Sequence, residues 1–209
     1  MHTTKNTLYT GEPLPEAKKA IILLHGRGSN PHDMLGIANL LKLDGFAIVA
    51  PSAHQNTWYP RSFLAPEKEN QPWLDAALKV VHDTILDVEQ TLGGSEKIFV
   101  LGFSQGACLA LESTARLPKK YGGVFALSGG LIGLGVNQRE FEKGLDGTPY
   151  FLGCSDVDPH IPKDRVLESS NVLKEQGAEV ETVLYPNFGH TINQDQIDRV
   201  QKVLDAAGE

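Results

Sequence analysis

Short uninterrupted apolar runs alternate along this chain with longer stretches of helical period. That alternation restricts the fold more than any other feature. Residues 21–24, 46–50, 98–101, 124–127 and 150–153 are such runs and read as strands, and 180–185, interrupted by Glu181 and Thr182, reads as a further strand. Consecutive apolar residues mean burial on both faces, the mark of a parallel sheet covered on either side. Between the third and second of these runs, Leu74, Leu78, Val81, Ile85, Val88 and Leu92 recur at helical spacing, ended by Gly93-Gly94. Asn30 followed by Pro31 marks a helix start, running to about Leu41. Val166 and Leu173 mark a further helix ended by Gly177, and Ile197, Val200 and Leu204 mark the last. The pattern implies an α/β architecture, a mostly parallel central sheet with helices on both faces. In such sheets ligands bind at the carboxyl ends of the strands.

The 209 residues show no internal repeat or low-complexity segment, so residues 1–209 are expected to form a single domain. A net charge of -7 without a basic run argues against nucleic acid as a partner. No apolar run reaches the ~18 residues of a membrane span, so no stable membrane insertion is expected. The first sixteen residues are polar and lack a signal core, which points to a cytoplasmic protein. Cys108 and Cys154 read as buried free thiols. No H-E-x-x-H, C-x-x-C or P-loop occurs, so neither metal nor cofactor is expected.

The chemistry concentrates at strand ends. The strand 98–101 runs into Gly102-Phe103-Ser104-Gln105-Gly106 and then a helix. A sharp strand-to-helix turn can hold one side chain up at the sheet edge, provided that the positions two residues to either side lack side chains. Ser104 in G-x-S-x-G is therefore a candidate nucleophile rather than a simple helix cap. A serine hydroxyl needs a base. His190, in a loop after the strand 180–185, is favoured over His54 and His160, which also lie in strand-end loops. An orienting carboxylate is sought after the preceding strand, where Asp156 and Asp158 are both available. The chain order Ser, Asp, His is that of α/β-hydrolases.

Acyl chemistry also requires an oxyanion hole. The backbone N–H of Gln105, next after the nucleophile, supplies one donor. The turn His25-Gly26-Arg27-Gly28 after the first inner strand supplies the second, from Arg27 N–H, with the His25 ring bracing the loop. Gly26-x-Gly28 also resembles the start of a dinucleotide fingerprint. Pro31 stands where its third glycine would fall, and no acidic residue ends the next strand.

Four segments, "LLHGRGSN", "VLGFSQGACLAL", "SDVDPHIP" and "FGHTI", together resemble the carboxylesterase and acyl-protein thioesterase branch of the α/β-hydrolases, the phospholipase/carboxylesterase family. The resemblance spans nearly the whole chain. It implies a small hydrolase without a lid domain, acting on esters or thioesters and often a homodimer, while the sequence itself leaves the oligomeric state open. Its G-F-S-Q-G elbow maps onto residues 102–106 and its G-H-x-I segment onto residues 189–192. Its D-P-x-V-P turn maps onto residues 158–162, with Ile161 for valine, which selects Asp158 over Asp156. The acyl-protein thioesterases have leucine where this chain has Arg27.

The resemblance and the residues together imply a serine hydrolase for small to medium acyl groups. The alternatives are an acyl-protein thioesterase or lysophospholipase acting on longer chains, and a non-catalytic binding module of the same fold. Only residues 128–148 lie between two consecutive strands where a lid would be inserted. Trp58, Tyr59, Phe63 and Leu64 are expected to form one wall of a shallow acyl groove. Leu131, Ile132, Leu134 and Val136 are expected to form the other, with the Arg27 charge at the entrance.

Overall fold

The computed structural model describes residues 1–207. Seven strands form one sheet in the order β1-β3-β2-β4-β5-β6-β7. These are β1 (Leu8–Gly11), β2 (Lys19–Leu24), β3 (Phe46–Ala50), β4 (Ile98–Phe103), β5 (Gly123–Leu127), β6 (Pro149–Ser155) and β7 (Glu179–Tyr185). Every pairing is parallel except that of β1 with β3. The helices are α1 (Pro31–Ala38), α2 (Trp73–Leu92), α3 (Gln105–Arg116), α4 (Lys163–Glu175) and α5 (Gln194–Ala206).

Strand alternation divides the core into two layers. Ile22, Leu24, Ile98 and Val100 face one side, with Leu74, Leu78, Val81, Ile85 and Val88 of α2, the buried residues of α3, and Val166 and Leu173 of α4. Ile21, Leu23, Phe99 and Leu101 face the other, with Met34 and Ala38 of α1 and Ile197, Val200 and Leu204 of α5. Both faces are therefore closed, which is why the central strands read as continuous apolar runs. Among the described residues, no helix is long and apolar enough to cross a membrane.

Two elements differ from the sequence-based expectation. β1 carries no apolar run, because it is a four-residue edge strand with only Leu8 partly covered. α1 stops at Ala38 instead of about Leu41. The stretch 128–148 contains only a three-residue 3-10 turn, Val136–Gln138, and no lid domain.

The parallel register brings the decisive chain ends to one edge. Leu24 pairs with Gly102, Phe103 with Leu127, and Ser155 with Tyr185. The segments beginning at His25, Ser104, Asp156 and Pro186 thus leave the sheet on the same side.

Candidate active site

Gly102 and Gly106 allow β4 and α3 to meet at an acute bend. A Cβ on Gly102 would sit 2.2 Å from Gly106 O, and one on Gly106 would sit 2.0 Å from Leu24 O. Real Cβ contacts do not reach such distances, so the sequence G-x-S-x-G is a packing requirement here. Ser104 between them takes φ 55° and ψ -118°, outside the regions open to an unstrained L-residue. Its side chain makes no capping bond to α3. The alternative of a plain helix cap is therefore not what the fold uses.

Ser104 Oγ lies 2.8 Å from His190 Nε2. His190 Nδ1 lies 2.7 Å from Asp158 Oδ2. The carboxylate fixes the tautomer: Nδ1–H donates to Asp158, which leaves Nε2 to accept from the serine hydroxyl. The Asp158 side chain is fully buried, whereas that of His190 is 18% exposed, so the imidazole borders the cavity and its orienter does not. Burial pushes the Asp158 carboxyl pKa up. The hydrogen bond from His190 and those from the His160 and Ile161 N–H groups outweigh burial and hold it below the usual value. Asp156 lies elsewhere; its Oδ1 accepts from Asn187 N at 2.8 Å and ties down the loop that carries His190. His160 stands edge-on to His190, ring centroids 4.9 Å apart, at the cavity wall. His54 stacks on Trp73.

Arg27 and Gln105 follow the ends of β2 and β4, two adjacent parallel strands. Neither backbone N–H has an intramolecular acceptor among the described residues. Gln105 N–H also opens α3, whose positive dipole end it shares. His25 braces this turn. Its Nδ1 donates to Gly26 O at 2.8 Å, and its Nε2 accepts from Ala53 N at 3.1 Å. Burial lowers its pKa, consistent with a neutral ring.

A cavity of about 570 Å³ opens over Ser104. Tyr59, Phe63, Phe103, Cys108 and Ile161 supply its apolar lining, and Arg27, Arg61, His160 and His190 its polar rim. Burial pushes the Cys108 thiol up to about 12, so it is a protonated part of the wall and no rival nucleophile. Among the described residues, no three His, Cys, Asp or Glu side chains converge as a metal-holding group.

The expected walls are partly corrected. Tyr59 and Phe63 do line the cavity. Trp58 does not; it is fully buried, its indole N–H donating to His25 O at 2.9 Å, so it supports the wall from behind. Leu131 and Ile132 are likewise fully buried and outside the lining. Their backbone N–H groups donate to Ser169 Oγ and to the buried carboxylate of Glu112. Glu112 also holds Arg116 and Arg139, which fastens the segment down onto α3 and turns both side chains into the core. Val136 is buried too, and Leu134 projects into solvent. Leu64 packs on the core rather than the cavity. Phe103, His160 and Ile161 complete the lining in their place. Phe103 was legible as the variable position of the elbow, and His160 as a strand-end histidine. Arg61 sits in a loop already recognised as wall-forming, with no signal of its own.

The Gln105 side chain explains how that wall is held. Its Oε1 accepts from Trp58 N at 2.9 Å, and its Nε2 donates to Tyr59 O at 2.8 Å. Asn70 repeats the device, accepting from Arg61 N and donating to Ser62 O. The Arg27 guanidinium donates to Pro60 O and Arg61 O at 3.1 and 2.7 Å.

The sequence profile of the phospholipase/carboxylesterase family matches residues 9–207. The chain belongs to the phospholipase/carboxylesterase family. A crystal structure of a phospholipase/carboxylesterase from Dyadobacter fermentans is 42% identical, covers 98% of each chain and superposes with a TM-score of 0.92. Acyl-protein thioesterase 1 of Gibberella zeae is 31% identical over 112 residues, 52% of this chain and 47% of that protein. Lysophospholipase-like protein 1 of mouse is 24% identical over 90% of this chain and 87% of its own length. The chain spans about half or less of the length of the first fungal thioesterases that it matches. Within the family the fold is thus shared along the whole chain with the bacterial structure.

Proposed function

We propose that this chain is a serine hydrolase that cleaves carboxylic esters or thioesters through an acyl-enzyme, residues 1–209 acting as one catalytic domain. The observation that carries the reading is the unbroken relay from the Asp158 carboxylate through His190 to the Ser104 hydroxyl. Membership of a family whose relatives are named esterases and thioesterases supports it.

In this mechanism Ser104 Oγ attacks the carbonyl carbon while its proton passes to His190 Nε2. Asp158 stabilises the imidazolium that forms. The carbonyl oxygen becomes an oxyanion held by the Arg27 and Gln105 N–H groups, each worth roughly 2.7–4 kcal/mol in comparable sites. His190 then returns the proton to the leaving alcohol or thiol, and the C–O or C–S bond breaks. Water, deprotonated by the same nitrogen, attacks the acyl-enzyme. Collapse releases the acid and restores the serine O–H.

The substrate is of small to medium size. The apolar lining is short, and each further methylene gains about 0.8 kcal/mol only while it finds cover. Arg27 and Arg61 at the rim oppose a long apolar tail.

The test compares wild type with Ser104→Ala on a series of nitrophenyl esters. The variant should fold normally and lose ~10⁴-fold or more in kcat. A serine-directed phosphonate should label wild type once and the variant not at all. In wild type, kcat/KM should peak at roughly two to six acyl carbons, by the burial argument. Retained turnover in Ser104→Ala overturns the mechanism, and a steady rise to long chains overturns the size assignment.

A further inference from the structure

The chain carries six arginines within a net charge of -7. Four of them are matched to carboxylates. Arg116 meets Glu67 and Glu112, Arg139 meets the same pair, Arg165 meets Glu168, and Arg199 meets Glu181 and Asp195. The remaining two, Arg27 and Arg61, have no carboxylate partner among the described residues, and both line the cavity over Ser104. The lining includes no Asp or Glu.

The two differ in how they are used. Arg27 spends two donors on the carbonyls of Pro60 and Arg61, a clip across the wall. The Arg61 side chain makes no hydrogen bond among the described residues, while its backbone is fixed at both ends: Asn70 Oδ1 accepts from its N–H, and Arg27 donates to its carbonyl. Asn70 and Gln105 anchor the residues on either side. Arg61 is thus a free planar fork on a rigid mount at the mouth of the site. Such a fork matches a carboxylate in geometry as well as in charge. One unengaged guanidinium balances one negative charge, which favours a carboxylate over a phosphate dianion.

We propose that the substrate of this site carries a carboxylate near its scissile ester or thioester, and that Arg61 recognises it, with the Arg27 charge reinforcing the field. The proposal rests on the serine hydrolase reading and adds the substrate class. Arg61 is a specificity residue here; it takes no part in bond making. The carboxylate belongs either to the acyl part or to the leaving group, and the two sources separate experimentally.

Four esters form two matched pairs. 4-Nitrophenyl hydrogen adipate and its adipamate counterpart place the charge, or its neutral isostere, on the acyl side. 4-(Butyryloxy)benzoate and 4-(butyryloxy)benzamide place it on the leaving group. In wild type at low salt, the charged member of at least one pair should show a kcat/KM roughly tenfold or more above its neutral partner, the scale of one charge-assisted hydrogen bond. High salt should shrink that ratio. Arg61→Gln should bring it toward parity, and Arg61→Lys should keep part of it. The non-hydrolysable amide counterparts of the same four compounds, titrated by calorimetry into Ser104→Ala, read recognition without turnover. Parity within both pairs in wild type, or a preference that survives Arg61→Gln, overturns the proposal while leaving the hydrolase reading intact. Charge-selective binding of the amides without turnover of any ester upholds recognition and sinks the hydrolase reading instead.

Discussion

At Asp158 one carboxylate serves two structures. Its Oδ1 accepts from the His160 and Ile161 N–H groups, forming the turn after β6, and its Oδ2 accepts from His190. Asp156, two residues earlier, serves only the loop, through Asn187 N. The two aspartates therefore predict different defects. Asp158→Asn keeps a side chain that still accepts from the turn through its oxygen, but presents an amide to His190 Nδ1 and favours the wrong tautomer. Its kcat should fall by ~10⁴-fold with Tm little changed. Asp156→Ala, which removes the acceptor for Asn187 N, should lower Tm modestly and leave kcat near wild type. Steady-state kinetics and thermal melts of both variants check this, and a reversal would reassign the orienting residue.

The elbow is an element-scale device, since β4, α3 and the end of β2 must approach at one point. Gly106→Ala places a methyl group against Leu24 O, and Gly102→Ala places one against the first turn of α3. Backbone cannot yield as a side-chain tip can, so each change should cost at least the ~1–3 kcal/mol of core overpacking. Gly36 is the internal control. It lies exposed within α1, and a Cβ there meets nothing within 4 Å. Gly36→Ala should raise stability by up to about 1 kcal/mol, from helix propensity alone. Urea midpoints of the three variants decide the matter; a tolerated Gly106→Ala would show that the bend has slack.

For the whole molecule, acid is the informative stress. His2, His25 and His82 all have pKa values lowered from 6.5, in each case mainly by burial. Two of them accept hydrogen bonds that a second proton would abolish: His25 Nε2 from Ala53 N, and His2 Nδ1 from His54 N. Between each lowered value and 6.5 the unfolded chain binds more protons than the folded one, so stability rises with pH there. Their contribution is fully present above 6.5 and is lost as pH falls through the folded values. The lowered Asp158 adds a loss of the same sign below 3.8. Melting temperature should accordingly drop as pH is taken from about 7 to 5; a rise over that span would show these rings to be charged in the fold.

Fold class and the elbow serine were both legible in the sequence, for a common reason, whereas the choice of Asp158 over Asp156 came from the family resemblance. Burial on two faces demands continuous apolar strands, and a bend between closely packed elements demands glycines at fixed spacing around Ser104. Both constraints act over a few neighbouring residues. His25 as a brace was legible too, from its place in a glycine turn at a strand end. β1 was not, because an edge strand with one half-covered residue leaves no apolar pattern. Nor was the second wall of the cavity. Leu131 and Ile132 are as apolar as groove residues should be, and their inward turn depends on Glu112, some twenty positions away, capturing a backbone N–H and two arginines. The free state of Arg61 depends in the same way on carboxylates that engage the other arginines elsewhere. Local sterics can be read from adjacent residues, whereas the direction of a loop side chain and the pairing of a charge are set by partners that only the folded chain brings near.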